Sequence, residues 1–465
     1  MQSMSNPHRK ALCVAIAALA LSGTATAAGR VDTSALAASG PVDGFIVGFR
    51  SGSALKADRA AQQRVFAAAA SSAFGRARPL TLVRERTLGI GAELVRTGKP
   101  LDAVEAEVLM RQIAANPDVA YVEPNIRLYP VATPNDPQFA SQYGFGTGAG
   151  GTNATQAWDS GYLGQGKVVA VIDTGITAHP DLDANVLAGG YDFISSTSNN
   201  DGNGRDADPS DPGDAASTLQ CPTSPLPTNS SWHGTHVAGT VAAVTNNATG
   251  VAGMAHLAKI LPVRVLGACG GTIADIVDGI TWSSGGSVAG VPAVGANRAH
   301  VINMSLGGSG ACSAAMQGAI NGAVSRGTVV VVAAGNSNAN VSGYTPASCA
   351  NTIVVGATDA AGAKASFSSY GAGVDVSAPG VDILSTLNAG TRRPAAPSYA
   401  SYNGTSMSTP HVAGLVAMLL SKHGTLTPAQ VEALLKANTK PFGSTPGQPI
   451  GTGIIDAKKT LDALP

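Results

Sequence analysis

Three short segments, far apart in the chain, carry the residue types that acyl transfer through a serine requires. They are V-V-A-V-I-D-T-G at 168–175, H-G-T-H-V-A-G-T at 233–240 and N-G-T-S-M-S-T-P-H at 403–411. A serine hydroxyl is a poor nucleophile at neutral pH, so it needs a base within hydrogen-bond reach and a carboxylate that orients the base. The segments therefore predict a catalytic set of Asp173, His233 and Ser406.

Acyl transfer also needs hydrogen-bond donors for the oxyanion of the tetrahedral intermediate. The segment V-V-A-A-G-N at 331–336 predicts a buried strand that ends at Asn336, at the same sheet edge as Asp173. We expect Ser406 to lie near the N-terminus of a helix predicted at 408–422, where backbone N–H groups favour negative charge. The Asn336 side-chain amide and the Ser406 backbone N–H would then be the two donors.

Other chemistries fit these segments less well. Asp-Thr-Gly at 173–175 also occurs in aspartic proteases, but those enzymes need two carboxylates that share a proton, and no second Asp-Thr-Gly is present. A zinc site at His233 and His236 would need an H-E-x-x-H or a third ligand pattern, and an esterase of the α/β-hydrolase type would need G-x-S-x-G. We interpret His236 and His411 as packed histidines.

The fold class follows from apolar runs that alternate with helical patterns. Continuous apolar runs are typical of buried parallel strands, because helices cover both faces of such a sheet. We predict strands at 167–173, 301–305, 328–334 and 352–357 and helices at 233–244, 273–284, 313–326, 408–422 and 428–438. The predicted fold is α/β, with a doubly wound, mostly parallel sheet flanked by helices and a site beyond the strand C-termini.

The first 130 residues differ from the rest in charge and organisation. Residues 1–130 carry 15 Lys and Arg against 10 Asp and Glu, whereas 131–465 carry 14 against 19, a net +5 against −5. A small α/β unit is predicted at 43–128. Its predicted elements are strands at 45–50, 92–96 and 119–125 and a helix that Asp102 caps and that ends near Ala115.

The N-terminus predicts export from the cell. Arg9 and Lys10 precede an apolar run at 11–21, and Ala25-Thr26-Ala27 offers a small-residue cleavage site, so residues 1–27 are typical of a signal peptide. The apolar run is shorter than the roughly 20 residues that span a bilayer. We therefore expect a secreted protein without a membrane partner, and the formal net charge of zero argues against a nucleic-acid partner.

Export determines how the cysteines are interpreted. Cys13 would be removed with the signal peptide, so four cysteines remain: Cys221, Cys269, Cys312 and Cys349. An even number in an exported chain predicts two disulfides, for which three pairings are possible. None of the four belongs to a C-x-x-C pair, which makes metal ligation the weaker interpretation.

Together the motifs resemble those of the subtilisin-like serine proteases (subtilases), over about residues 43–460. The resemblance implies a secreted bacterial endopeptidase that hydrolyses proteins and peptides. Asp173, His233, Ser406 and Asn336 then take the family's triad and oxyanion roles. Two segments would flank the specificity pocket and bind substrate: Ser305, Leu306 and Gly307, and Ala333, Ala334 and Gly335. The alternative, a non-catalytic binding protein of this type, predicts a lost triad or oxyanion residue, and all four are present.

The resemblance also implies that the chain is made as a zymogen. Residues 28–131 would be a propeptide with a ferredoxin-like folded part, acting as a folding chaperone and an intramolecular inhibitor. Self-cleavage near 129–133 would release a peptidase domain at 132–465, which we expect to be a monomer. Sequence proximity and the family's topology favour the pairings Cys221–Cys269 and Cys312–Cys349, which would hold loops that border the cleft.

Structural Ca²⁺ is the cofactor that the resemblance implies. The family's strong site would take side chains of Asp136, Asp181 and Asn247 and carbonyls of Val244, Thr249 and Val251. The acidic loop at 201–214 suggests a second site. Its candidate ligands are Asp201, Asp206, Asp208 and Asp211, with a flexible acidic loop as the alternative.

Overall fold

The computed structural model describes residues 28–33, 36, 41–75, 79–126, 133–196, 200–221 and 226–464. The predicted signal peptide at 1–27 lies outside these residues, as does the predicted cleavage segment apart from Thr133. The chain divides into two compact units, Met1–Arg127 and Leu128–Pro465, called here the N-terminal and C-terminal units. In the part of the chain that is described, no helix is long and apolar enough to cross a membrane.

The N-terminal unit is a mixed sheet with two helices. Its described elements are β1 (Arg30–Val31), β2 (Val42–Phe49), α1 (Arg59–Phe74), β3 (Leu82–Thr87), β4 (Glu93–Leu101), α2 (Ala103–Ala114) and β5 (Val119–Pro124). The strand order is β1-β5-β2-β4-β3, in which only the β1–β5 pair is parallel. Phe45 and Val47 of β2 share one core with Phe66 of α1 and Leu109 of α2, so both helices pack on one face.

The predicted helix start at Asp102 is confirmed, whereas α1 and β3 were missed. The Asp102 side chain accepts from the backbone N–H of Glu105, and the Glu105 side chain accepts from the backbone N–H of Asp102. The α1 sequence is rich in alanine, so its apolar positions do not form the clear stripe on which helix prediction depends.

The C-terminal unit is the larger of the two. Its described elements are α3 (Ala154–Trp158), β6 (Val168–Asp173), β7 (Tyr191–Asp192), α4 (His233–Ala242), β8 (Lys259–Arg264), α5 (Ile273–Ser283), β9 (Val301–Met304), β10 (Gly308–Ser309), α6 (Ala314–Ser325), β11 (Val329–Ala333), β12 (Tyr344–Thr345), β13 (Ile353–Thr358), β14 (Val376–Pro379), β15 (Ile383–Asn388), β16 (Pro397–Tyr402), α7 (Thr405–Lys422), α8 (Pro428–Ala437) and α9 (Ala457–Asp462). The predicted strands and helices are all present, and β7, β8 and β14 are additional members of the main sheet.

A seven-stranded parallel sheet forms the centre of this unit and confirms the predicted fold class. The strand order is β14-β13-β11-β9-β6-β8-β7, and every pair is parallel. The chain runs from β6 to β8 on one side and then crosses to β9 on the other, so the order reverses at β6. The crevice beyond the C-terminal end of β6, where Asp173 lies, is the place where such sheets bind ligands.

Alternate residues of each central strand face two separate cores, which is why the strands are apolar throughout. In β6, Val169 and Val171 join the core that contains α4 and α7, whereas Ala170 and Ile172 join the core that contains α5 and α6. Helices α4 and α7 therefore lie on one face of the sheet, and helices α5 and α6 lie on the opposite face.

Helix α7 begins earlier than the sequence predicts. It starts at Thr405 instead of residue 408, so Ser406 is its second residue and Pro410 lies inside the helix instead of in its first turn. Proline has no N–H, so Pro410 cannot donate to the Ser406 carbonyl four residues before it. That carbonyl accepts instead from the Ser305 hydroxyl, at 2.8 Å.

Candidate active site

Asp173 and His233 form a hydrogen-bonded pair at the switch point of the sheet. Asp173 is the last residue of β6 and His233 the first residue of α4. His233 Nδ1 lies 2.8 Å from Asp173 Oδ1, which also accepts from the backbone N–H of Thr174 at 2.8 Å. A proton on Nδ1 satisfies this contact, so Nε2 keeps its lone pair and can serve as the base.

The electrostatic surroundings favour the charged form of this imidazole. Burial lowers the pKa of His233, but the charge of Asp173 and its hydrogen bond outweigh that effect and raise the pKa above the ordinary histidine value. Asp173 is fully buried, whereas the His233 side chain is 21% exposed. The pair can therefore accept a proton from a group in the cleft and stabilise the imidazolium that forms.

Ser406 faces the same cleft from the first turn of α7. Its Oγ donates to the Ser305 carbonyl at 3.1 Å, and within the described residues no hydrogen bond joins it to His233. Catalytic hydrogen bonds are often absent or long without substrate, and a rotation about the Ser406 Cα–Cβ bond redirects the hydroxyl. Gly404, directly before the helix, has φ of 155°, and a Cβ there would lie 3.2 Å from Asn336 Nδ2.

Asn336 is held by its side-chain oxygen. Oδ1 accepts from the backbone N–H of Thr405 at 2.8 Å and from the Thr405 hydroxyl at 2.9 Å. The Thr405 backbone N–H can only donate, so the oxygen of the Asn336 side-chain amide must face Thr405. The Asn336 Nδ2 group is therefore left as a donor. The N–H of Ser406, as the second residue of α7, has no intrahelical acceptor either. These two groups can stabilise negative charge on a substrate oxygen.

A cleft of about 1010 Å³ contains these residues. His233, Ser406 and Asn336 line it, and so do all six residues predicted to bind substrate: Ser305, Leu306, Gly307, Ala333, Ala334 and Gly335. Beside it, β10 and β12 form a short antiparallel pair. Exposed strand edges such as these are the kind that pair with an extended peptide.

His236 and His411, which the sequence places outside the catalytic set, are packed histidines. His236 stacks on Tyr402, and its Nε2 lies 3.0 Å from the Ala400 carbonyl. His411 Nδ1 lies 2.8 Å from the Met407 carbonyl. Burial lowers the pKa of His236 to about 3 and that of His411 to about 4, so neither is a base that titrates near neutral pH.

The aspartic-protease interpretation also has no support in the geometry. Besides Asp173-Thr174-Gly175, the sequence contains Asp159-Ser160-Gly161, a variant of that motif. Asp159 follows α3 as its C-terminal cap and does not line the cleft. The two carboxylates that this chemistry needs are therefore not paired across the cleft.

Sequence analysis missed a second contact between the Asp and His segments. The Thr174 hydroxyl accepts from the backbone N–H of Gly234 at 3.0 Å and donates to Asp211 Oδ2 at 2.8 Å. Thr174 and Asp211 are 3% and 1% exposed, and burial raises the pKa of Asp211 to about 7. This contact connects the end of β6 to the start of α4. The adjacency of Thr174 to Asp173 was a visible clue, but nothing local marks Asp211 as its partner.

The residues predicted for the first calcium site meet around one loop. Asp136 accepts from the backbone N–H groups of Asn246 and Asn247. Asp181 accepts from Asn247 Nδ2 at 2.7 Å and from the Val251 N–H at 2.8 Å. The N–H of Val244 donates to the Asp181 carbonyl, and the N–H of Thr249 donates to Asn247 Oδ1.

This donor set fits a hard cation. Asp136 and Asp181 are both buried, and burial first, with a contribution from the charge of Asp136, raises the pKa of Asp181 to about 6. Two buried carboxylates beside an amide and loop carbonyls are the oxygen ligands that Ca²⁺ takes. A bound cation would stabilise the ionised form that burial disfavours.

The four residues predicted for the second calcium site have separate partners. Asp201 pairs with Arg264, which also pairs with Asp192, and Asp211 bonds Thr174. Asp206 and Asp208 accept from backbone N–H groups two residues further along the chain. In the described ranges no group of three or more His, Cys, Asp or Glu could hold a metal ion. These contacts do not bring the four carboxylates together, and the second calcium site stays a prediction.

The two predicted disulfides are present. Cys221 bonds Cys269, which lines the cleft, and Cys312 bonds Cys349. Cys312 lies two residues before α6, and the residues 344–347 that line the cleft lie just before Cys349. Both bonds therefore tie down segments that border the cleft.

Comparison with known proteins agrees with this geometry. Residues 164–453 match the model of the subtilase family. The chain is 55% identical over 441 residues to a protein of Xanthomonas campestris named extracellular protease, and 46% identical over 388 residues to the extracellular basic protease of Dichelobacter nodosus. These alignments cover 94% and 82% of this chain and 75% and 64% of the two relatives.

Two further similarities cover about two thirds of the chain. Subtilisin Savinase of Lederbergia lenta is 41% identical over 307 residues, which are 66% of this chain and 94% of that protein. A solved structure of a protease from Pseudoalteromonas arctica aligns with a TM-score of 0.70 at 51% identity, over 71% of this chain and 99% of that one.

Proposed function

The chain belongs to the subtilase family of serine proteases, and we propose that it is a secreted endopeptidase made as a self-processing zymogen. The observation that carries the proposal is the hydrogen-bonded pair of Asp173 and His233 in one cleft with Ser406 and Asn336. The names of the relatives, extracellular protease among them, support a protein or peptide substrate.

Acylation would begin with proton transfer from Ser406 to His233. The Ser406 hydroxyl turns from the Ser305 carbonyl toward Nε2 and attacks the scissile carbonyl as its proton moves to His233. Asp173 stabilises the imidazolium through Nδ1–H and keeps the ring oriented. His233 then donates the proton to the leaving amine, and water, deprotonated by the same imidazole, releases the acyl group.

Asn336 Nδ2 and the Ser406 N–H would bind the oxyanion of each tetrahedral intermediate. Thr405 supports both donors, because its N–H and hydroxyl hold Asn336 Oδ1 and it precedes Ser406 in α7. Ser305–Gly307 and Ala333–Gly335 would form the walls of the specificity pocket and pair with the substrate backbone.

The N-terminal unit would be the propeptide. Its β-α-β-β-α-β order from β2 to β5, with four antiparallel strands, supports a ferredoxin-like inhibitor domain. An inhibitor carried in the same chain would keep the protease inactive until export and self-cleavage near 129–133. The signal peptide predicted at 1–27 and the two disulfides support an extracellular location.

Calcium would stabilise the mature enzyme at the site of Asp136, Asp181, Asn247, Val244, Thr249 and Val251. When bound, the ion would contribute charge neutralisation and a cross-link between the segment before α3, the segment after β6 and the loop after α4. It takes no part in acyl transfer, which the cleft residues perform.

Substitution of Ser406 by alanine tests the proposal. Wild type should hydrolyse casein and separate from its N-terminal unit, whereas Ser406→Ala should do neither and should accumulate as the uncut chain. Ser401→Ala, in exposed β16 outside the cleft, is the matched control and should behave as wild type. Equal casein hydrolysis by Ser406→Ala would refute the mechanism, and an inactive wild type would favour a non-catalytic binding protein.

A further inference from the structure

Among the described residues, the cleft is lined by one acidic side chain, Asp214, which bonds Ser231 two residues before His233. Of the described residues that line the cleft, Asp214 is the only carboxylate, and no lysine or arginine lines it. Burial lowers the pKa of His233, while the charge of Asp173, with a smaller contribution from Asp214, raises it. A substrate that passes His233 therefore meets a single fixed negative charge.

The Asp214 carboxylate is held in one orientation by Ser231. Oδ1 accepts from the Ser231 N–H at 2.6 Å, and Oδ2 accepts from the Ser231 hydroxyl at 2.7 Å. Ser231 is fixed in turn, since its carbonyl accepts from the Tyr402 hydroxyl at 2.8 Å. A carboxylate has about four acceptor positions, so roughly two remain for a ligand. Asp214 is half-buried, so a ligand can reach them.

Asp214 has no cationic partner within the described part of the chain. The ion pairs of the C-terminal unit involve other carboxylates, such as Asp275 with Arg205 and Asp375 with Lys436. Arg392 is the cation that approaches the same loop. Its guanidinium is engaged by the carbonyls of Ala216 and Thr228 and by the Ser217 hydroxyl, at 3.2–3.5 Å.

The remaining walls of the cleft carry apolar, backbone and neutral polar groups, and among the described residues no second carboxylate. Leu266, Ile273, Ile276, Leu306 and Met316 line them, together with glycine and alanine residues. Those walls suit neutral side chains and offer a cation no opposite charge. The charge of Asp214 can therefore discriminate only at the one substrate position that lies against it.

We propose that Asp214 is a specificity-determining residue, and that the enzyme prefers substrates with lysine or arginine at the position beside His233. This inference rests on the proposed endopeptidase function. An ammonium or guanidinium group would donate to the free acceptor positions of Asp214 and replace water there. Partly exposed ion pairs with charged hydrogen bonds predict a preference of about five- to tenfold in kcat/KM over an uncharged side chain of similar length.

The test uses the mature enzyme and paired fluorogenic peptides. Each pair differs at one position, from four residues before to two residues after the scissile bond, and carries lysine in one peptide and norleucine in the other. We expect the kcat/KM ratio of lysine to norleucine to reach about five to ten at one position, and to decrease when the salt concentration is raised. In Asp214→Asn the ratio at that position should fall to about one.

A matched control separates the local effect from a change in overall charge. Asp382→Asn removes one negative charge from an exposed loop outside the cleft and should keep the wild-type ratio. A wild-type ratio near one at every position would overturn the proposal, as would an unchanged ratio in Asp214→Asn. The wild-type ratio and its salt dependence decide the matter even if Asp214→Asn does not fold. Failure of wild type to cleave any peptide would instead contradict the proposed function.

Discussion

The Ser305 hydroxyl connects the end of β9 to the start of α7, and its removal should lower the free energy of unfolding. Ser305 Oγ donates to the Ser406 carbonyl at 2.8 Å and accepts from Asn303 Nδ2 at 3.0 Å. Because Pro410 has no N–H, helix α7 supplies no replacement donor for that carbonyl. Ser305→Ala therefore leaves a carbonyl and an amide without their partners.

The Asn303 amide lies in poorly hydrated surroundings, and the bond between Ser305 and the Ser406 carbonyl is partly buried. Ser305 is 3% exposed and Asn303 is fully buried, and Asn303 Oδ1 already has no protein partner within the described residues. A buried polar group that loses its partner costs about 1–3 kcal/mol, so we expect the free energy of unfolding to fall by about 2–4 kcal/mol. At an unfolding entropy of about 2 cal/mol/K per residue, that corresponds to a decrease in Tm of about 3–6 °C for a unit of this size.

The assay is calorimetry at a fixed scan rate, with both chains in the Ser406→Ala background to prevent self-digestion. Ser309→Ala, an exposed residue of neighbouring β10 whose side chain makes no described hydrogen bond, is the control and should change stability by less than about 0.5 kcal/mol. A Tm of Ser305→Ala within a degree of the Ser309→Ala value would show that the hydroxyl does not hold the two elements together.

Three further outcomes follow from the site. His233 must be neutral to accept the proton, and its pKa is raised above the ordinary histidine value of about 6.5. We therefore expect kcat/KM to increase with pH through one ionisation whose pKa lies above that value. An ionisation with a pKa below that value would contradict the assigned electrostatics. Asn336→Ala should lower kcat by about 10²–10³, a magnitude known from subtilisin itself and not worked out from this chain, and a loss expressed only in KM would contradict an oxyanion role. Equilibrium dialysis should find at least one Ca²⁺ bound to the mature enzyme, and Asp181→Asn should lose the ion held at Asp136 and Asp181. Thermal inactivation should be faster in the presence of a chelator. Fewer than two bound ions in wild type would remove the second site at 201–214.

Local patterns were sufficient to predict the sheet edge that carries the site. Continuous apolar runs identified β6 and β11, and residues that follow parallel strands must meet at one edge, which brings Asp173 and Asn336 together. The disulfide pairing came from family resemblance, because spacing alone left three connectivities open.

The contacts that sequence analysis missed connect residues that no local rule relates. A proline often lies in the first turn of a helix, so the sequence predicts a later start for α7. In the structure the carbonyl that Pro410 leaves without a helical donor accepts from Ser305, about a hundred positions away. The acidic loop resembles a calcium loop by composition. Its carboxylates differ only in long-range partners, since Asp201 meets Arg264, Asp211 meets Thr174 and Asp214 meets Ser231.

The central claim is that Ser406 is the nucleophile that His233 and Asp173 activate. Treatment with phenylmethylsulfonyl fluoride followed by peptide mass mapping tests it most directly, because the sulfonyl group is transferred to an activated serine oxygen as fluoride leaves. We predict one adduct per chain, on Ser406, formed in step with the loss of activity and greatly slowed in His233→Ala. Complete inactivation with the adduct on another residue, or a modified Ser406 with activity retained, would contradict the account.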